Sequence, residues 1–446
     1  MRYIGPTIER RKLQITAVLL TVAVCWAPLA RAQDDMAVSS FRVQLPAKSQ
    51  PFPEPLAAGE QPGFKYRGTK GWAWTPEQYL DEIPWLIKFK MNFLMNCYTS
   101  LFTSTNPRKN EWWLPLPGDE KVAYAEVIRA CHTNGITFCF CMNPQLASHR
   151  PLNPTNSTDL DVLFQHYAWA QSLGVKWFSI CVDDVQRRES PDVVAAQDAK
   201  MVNIFVARLR ERDPEAQMIF CPGPYWGDGT APDVHTYLQT LGREMNPDVY
   251  VFWTGDAVVT PRITRAAAES YKKAVNHRLF LWDNYPVNDG QATLNLGPVS
   301  GRAPDLGEVI DGYMGNPMAP QDQINRIPLA TCADYAWNPQ AYDPARSIGQ
   351  AIWAFGKTRA QREVLKELVE TYPGFIASGG GTGTNPVREK LKKFASQSNS
   401  KSAGEFIQQI EGLSARLDED FPGQFDDAKK TVDADVAWMH QNLNQQ

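Results

Sequence analysis

Eight short apolar runs alternate with amphipathic stretches between residues 66 and 315, and this alternation constrains the fold more than any other feature of the chain. The runs at 66–69, 92–98, 137–143, 176–185, 217–221, 249–253, 279–282 and 312–315 are rich in aromatic and β-branched residues, as strands buried on both faces are. The stretches between them carry helical signals. Residues 158–173 place Leu160, Phe164, Tyr167 and Leu173 on one face of a helix. Thr75-Pro76-Glu77-Gln78 combines an N-cap, a proline at the first helical position and a capping-box glutamine. Gly135 stands where a helix over 119–134 needs a left-handed residue to end. Strands separated by helices pair in parallel, because a parallel neighbour needs a long crossover, and eight such units predict an α/β fold of the (β/α)8 TIM-barrel type. Beyond residue 342 no strand pattern continues, and helices are expected at 346–355, 359–371, 387–395, 403–417 and 426–442. The glycine-rich run 378–384 reads as a flexible joint among them. The expected organisation is therefore a signal peptide over 1–32, a linker or surface strap over 33–63, the barrel over 64–345 and a C-terminal helical region over 346–446.

The signal peptide is read from a basic flank at Arg10, Arg11 and Lys12, an apolar run over 13–29 and Ala30-Arg31-Ala32 as a small-x-small cleavage site. Export to the periplasm or the outside of a bacterial-type cell follows as an expectation, with Gln33 as the mature start and no stable membrane insertion after cleavage. A net charge of −4 offers no basic footprint, so nucleic acid is not an expected partner. Seven cysteines follow the signal, and five of them (Cys97, Cys139, Cys141, Cys181 and Cys221) lie inside apolar runs; an odd number so placed predicts buried free thiols rather than a disulfide framework. Cys139-Phe140-Cys141 is not a metal-ligand spacing and the six histidines are scattered, so neither a metal site nor a cofactor is expected.

The run 176–185 ends on two adjacent carboxylates, Asp183 and Asp184. Successive side chains on a strand point to opposite sides, so the two stay together only where the strand gives way to a loop. In a parallel barrel that place is the C-terminal rim, where active sites lie. The following strands end in Pro222-Gly223-Pro224-Tyr225, Trp253-Thr254-Gly255-Asp256, Trp282-Asp283-Asn284-Tyr285 with Asn288-Asp289, and Asn316-Pro317. Carboxylates, amides, phenols and indoles gathered on one rim, without a phosphate loop or a nucleophilic Ser/His pattern, point to a carbohydrate partner. Retaining glycosidases usually hold two carboxyl groups about 5–5.5 Å apart on either side of the bond. Adjacent aspartates suit a different scheme, in which the sugar's own 2-acetamido oxygen attacks, one carboxylate orients the acetamido N–H and the other protonates the leaving oxygen.

Five segments in this order carry a specific resemblance: CVDDV (181–185), VFWTGDAVV (251–259), LWDNYPVND (281–289), LGPVSGR (296–302) and GYMGNP (312–317). Together they resemble glycoside hydrolase family 84, the O-linked β-N-acetylglucosaminidases and their bacterial relatives, over about residues 66–344. The resemblance implies that Asp183 orients the acetamido group and Asp184 is the general acid/base. It further implies that Tyr225, Trp282 and Asn284 line the acetamido pocket, that Asp289 and Asn316 bind sugar hydroxyls, and that Gly68 offers its backbone carbonyl to the 3-hydroxyl. Two places depart from the family pattern. The first strand reads Arg67-Gly68-Thr69-Lys70-Gly71-Trp72 where relatives have EGFYG, and Thr99 stands where a lysine that reaches the sugar is usual. The expected activity is removal of terminal β-linked N-acetylglucosamine by substrate-assisted retaining catalysis through an oxazoline. Its rivals are a non-hydrolytic carbohydrate-binding barrel and a glycosidase for a different 2-acetamido sugar.

Overall fold

Helical crossovers leave parallel strands one way to bury both faces without an open edge, and the chain takes it: β1 to β8 close into a barrel in sequence order, every pair parallel. The computed structural model describes residues 41–443 save 104–109, 147, 320–322 and 379, so the expected signal peptide lies outside the described residues. The order is β1 (Tyr66–Gly71), α1 (Pro76–Lys88), β2 (Phe93–Asn96), α2 (Gly118–Thr133), β3 (Thr137–Met142), α3 (Ser157–Ser172), β4 (Trp177–Cys181), α4 (Pro191–Arg212), β5 (Gln217–Cys221), α5 (Pro232–Glu244), β6 (Tyr250–Trp253), α6 (Arg265–Val275), β7 (Arg278–Pro286), β8 (Ile310–Asn316) and α7 (Arg326–Trp337). After it come α8 (Pro344–Phe355), α9 (Arg359–Thr371), the single turn α10 (Phe375–Ser378), α11 (Pro386–Ser396), α12 (Ser400–Asp420) and α13 (Asp426–Leu443).

Local chemistry sets the ends as expected. Thr75 and Gln78 form the capping box of α1, and Gly135 takes φ +69° after α2. Besides the single turn α10, one full helix escaped the sequence reading. In α7 every residue from Arg326 to Ala336 is buried, because it is wedged between the barrel and the helices that follow; a helix buried all round shows no amphipathic period. Strand β7 is also longer than its apolar run, continuing through Asp283 and Asn284 to Pro286.

Strand alternation splits the core. Side chains facing into the barrel, among them Phe93, Trp177, Tyr250 and Phe280, make one buried cluster, with Tyr66 and Trp177 ring centroids 4.5 Å apart. Those facing outward join the helices in a second, larger cluster. The inner cluster plugs the barrel floor and leaves its C-terminal mouth to polar groups. The strap over 41–63 is tied by the Val43 N–H donating to Glu370 and by Trp353 and Trp337 donating to the Pro46 and Glu54 carbonyls. The described residues gather as one compact unit. Among the described residues, no helix is long and apolar enough to cross a membrane.

Candidate active site

β4 ends at Cys181, and the Val182 N–H still donates to the Cys221 carbonyl at 2.9 Å, so Asp183 and Asp184 sit where the ladder stops. Asp184 takes φ +60°, a left-handed backbone that costs a non-glycine residue on the order of 1 kcal/mol or more. That turn breaks the strand alternation and frees the two carboxylates for different surroundings.

Asp183 is buried. Tyr98 Oη donates to one of its oxygens at 2.7 Å and Asn143 Nδ2 to the other at 3.1 Å. Burial, reinforced by Cys181 and Asp184, pushes its pKa up to about 8, against the pull of Tyr98 and Lys70. Asp184 is exposed and accepts from Tyr225 Oη at 2.8 Å. The neighbouring carboxyl groups therefore have contrasting surroundings: one is buried against a phenol and an amide, the other is exposed beside Tyr225.

Trp282 forms a buried wall, and its Nε1 donor has no partner among the described residues. Asn284 Nδ2 donates to the Val258 carbonyl at 2.6 Å while its oxygen accepts from Asn316 Nδ2 at 2.7 Å. This chain of amides leaves Asn316 Oδ1 buried and without a partner among the described residues. An unmatched donor and an unmatched acceptor on the paired strands β7 and β8 are what a polar ligand would satisfy. Asp289, at φ +51°, is exposed and accepts from Thr382 Oγ1 at 2.6 Å.

The remaining expected residue, Gly68, lies deeper. It sits in the ladder opposite Phe93 and Met314, and a Cβ there would come within 1.8 Å of the Phe93 carbonyl oxygen. Lys70 follows two residues later on the same inward face, nearer the mouth. Its ammonium is buried, 3.7 Å from the Trp282 ring centroid, 4.4 Å from that of Trp72 and 5.2 Å from that of Tyr98, and it reaches Cys97 Sγ at 3.6 Å. An ammonium stacked on indole faces is held by cation–π attraction. Thr99, the residue standing in for the family lysine, bonds Cys97 Sγ at 3.0 Å.

Two corrections follow from strand parity and packing. Asp283 does not reach the rim: its side chain faces outward, fully buried, ion-paired with Arg302 at 2.5 and 2.9 Å and accepting from Tyr313 at 2.8 Å. The run read as a flexible joint is tied to the rim through Thr382, whose backbone carbonyl also accepts from Asn295. Cys181, Cys221 and Asp183 come close enough to share an ion, although no spacing in the sequence suggested a ligand set. All seven cysteines of the described chain are buried and free, as expected. Sequence reasoning missed Tyr98 and Asn143 as partners of Asp183; each ends an apolar run, which is the signal that marks rim residues.

A profile described as beta-N-acetylglucosaminidase matches residues 68–370. The mouse (Mus musculus) Protein O-GlcNAcase is 26% identical over 279 residues, which is 60% of this chain and 29% of that protein, so the chain spans less than a third of that relative. Among solved structures, a mutant of the Thermobaculum terrenum O-GlcNAc hydrolase superposes with a TM-score of 0.69 at 22% identity, covering 86% of this chain and 84% of that one. CpGH84B superposes with a TM-score of 0.68 at 22% identity, covering 86% and 68%. At that identity the structural likeness carries the fold.

Proposed function

This chain belongs to the beta-N-acetylglucosaminidase family, and from that premise we propose that it is an exported retaining glycosidase that removes terminal β-linked N-acetylglucosamine, the substrate supplying its own nucleophile. The observation that carries the reading is the pair of adjacent aspartates in contrasting surroundings: Asp183 buried beneath Tyr98 and Asn143, Asp184 exposed beside Tyr225.

In this mechanism the acetamido oxygen attacks the anomeric carbon as the bond to the leaving oxygen breaks. The Asp184 carboxyl gives its proton to that oxygen. Ring closure puts positive charge on the acetamido nitrogen, and the Asp183 carboxylate accepts its N–H; a carboxylate with high proton affinity suits that task. Asp184, now ionised, takes a proton from water, which opens the oxazoline with net retention. Trp282 and Asn316, each with an unmatched polar atom, and Asn284 hold the sugar.

The test is a panel of aryl glycosides. Hydrolysis of aryl β-N-acetylglucosaminides, negligible hydrolysis of the matching β-glucosides and tight inhibition by a thiazoline mimic of the oxazoline are expected. Equal cleavage of the glucoside, or a glycosyl ester trapped on either aspartate, overturns the mechanism. Asp184→Ala should lose most activity on poor leaving groups, about 10²–10⁴-fold, and far less on activated aryl groups, whereas Asp183→Ala should be impaired on both. A second reading, a non-hydrolytic sugar-binding barrel, has its support in the ammonium of Lys70 lying over Trp282; absence of turnover on the whole panel with retained inhibitor binding would favour it. Export predicts that protein from the native cell begins at Gln33 outside the cytoplasm, and recovery of chains that begin at Met1 would refute it.

A further inference from the structure

Beneath Asp183 the barrel is lined with sulfur. Cys181 and Cys221 are register partners on β4 and β5, and Asp183 follows Cys181 two residues later on the same inward side. One donor atom from each of these three lies within 4.8 Å of the others, and all three residues are buried. Cys141, from β3, places its Sγ 3.5 Å from Cys181 Sγ. Two thiols and a carboxylate from two neighbouring strands thus gather just below the mouth, with a third thiol, that of Cys141, against Cys181.

We propose that this floor is a binding site for a thiophilic divalent cation of the Zn2+ class, and that the bound ion inhibits the enzyme by taking the Asp183 carboxylate. A tetrahedral ion with Zn–S bonds of about 2.3 Å sets donor separations of about 3.8 Å, so the pair at 3.5 Å already fits and small side-chain rotations bring in the others. Sulfur-rich donor sets select soft or borderline ions over Mg2+ or Ca2+. Coordination displaces the protons of the thiols, and that of Asp183 where it is protonated, to solvent; no oxidation is involved. The ammonium of Lys70, on the same inner wall, opposes the incoming cation but then balances the negative charge that several thiolates and a carboxylate leave on the complex. The binding claim stands on the donor geometry alone, and only the inhibition rests on the role of Asp183 given above.

The experiment uses the full mature protein, stripped with a chelator and titrated with Zn2+, then with Cd2+ as an optical probe of thiolate coordination. Saturable binding of one ion per chain, a thiolate-to-Cd2+ charge-transfer band and chelator-reversible loss of activity are expected. Cys221→Ser and Cys181→Ser should each weaken binding by more than about 100-fold, beyond the loss typical of outer-shell partners. Each variant is compared with itself with and without metal, and its fold is checked by circular dichroism. If either serine variant fails to fold, Cys221→Ala and Cys141→Ser supply the same comparison. Wild-type protein that shows no such band, or weak multi-site binding that the variants leave unchanged, overturns the site. Binding with the expected stoichiometry but no inhibition overturns the inhibitory role alone. Should the protein prove not to be a glycosidase, the Cd2+ band and its loss in the variants still decide the metal site.

Discussion

Two buried aspartates of the same barrel have opposite lives. Asp283, on β7, faces the helices and is locked between the Arg302 guanidinium and the Tyr313 hydroxyl. Asp183, just past β4, faces the mouth and has no cation within ion-pair distance among the described residues, only a phenol and an amide. The first charge is matched inside the fold, so removing it harms the fold. The second has no counter-charge among the described residues, so its ionised form is costly to bury.

The largest effect should come from breaking the matched pair. Asp283→Ala leaves the Arg302 guanidinium buried without a counter-charge and should cost about 3–5 kcal/mol, read as a fall in the denaturation midpoint. Asp183→Asn should do the reverse. The raised pKa of Asp183 means that its protonated form favours folding: that contribution is complete below its unfolded value of about 4 and is lost as the pH rises through about 8. The asparagine variant should therefore be more stable than the wild type at pH 8, with the gap closing toward pH 4, while activity is lost. Thermal melts of both variants at the two pH values check this, and a destabilised Asp183→Asn at pH 8 would break the comparison.

Lys70 sharpens it further, as a buried cation with no carboxylate partner within ion-pair distance among the described residues. If its ammonium donates to the sugar in place of the usual lysine, Lys70→Ala should weaken thiazoline inhibitor binding by about 10- to 150-fold, the equivalent of a charge-assisted hydrogen bond of about 1.5–3 kcal/mol. Tighter binding in that variant would show instead that Lys70 obstructs the Trp282 face.

The smallest effect is expected at Tyr98. Its hydrogen bond favours the ionised form of Asp183, so Tyr98→Phe should push that carboxyl higher still. The acid limb of kcat/KM, measured with a chelator present, should move to higher pH by about one unit, on the scale of one hydrogen bond to a charged group. A limb that stays in place, or moves down, would detach it from Asp183.

Much of this was legible before any coordinates. The capping box at Thr75, the left-handed Gly135 and the eight apolar runs are local signals, each decided by residues within a few positions of one another, and they suffice for a closed parallel barrel with Asp183 and Asp184 on its rim. What tertiary structure decided is which way each side chain faces and what meets it there. Asp183 and Asp283 both read as polar residues ending apolar runs, and only the placement of the strands in the closed barrel sends one inward to Tyr98 and the other outward to Arg302. Helix α7 lost its period because it is covered on every side, a condition that no window of sequence contains. The cage around Lys70 draws on β1, the turn after β2 and β7, and the sulfur floor on β3, β4 and β5. Pairing of consecutive parallel strands assembles the sulfur floor, and the cage around Lys70 joins β1 to β7 across the closed barrel; local periodicity shows neither.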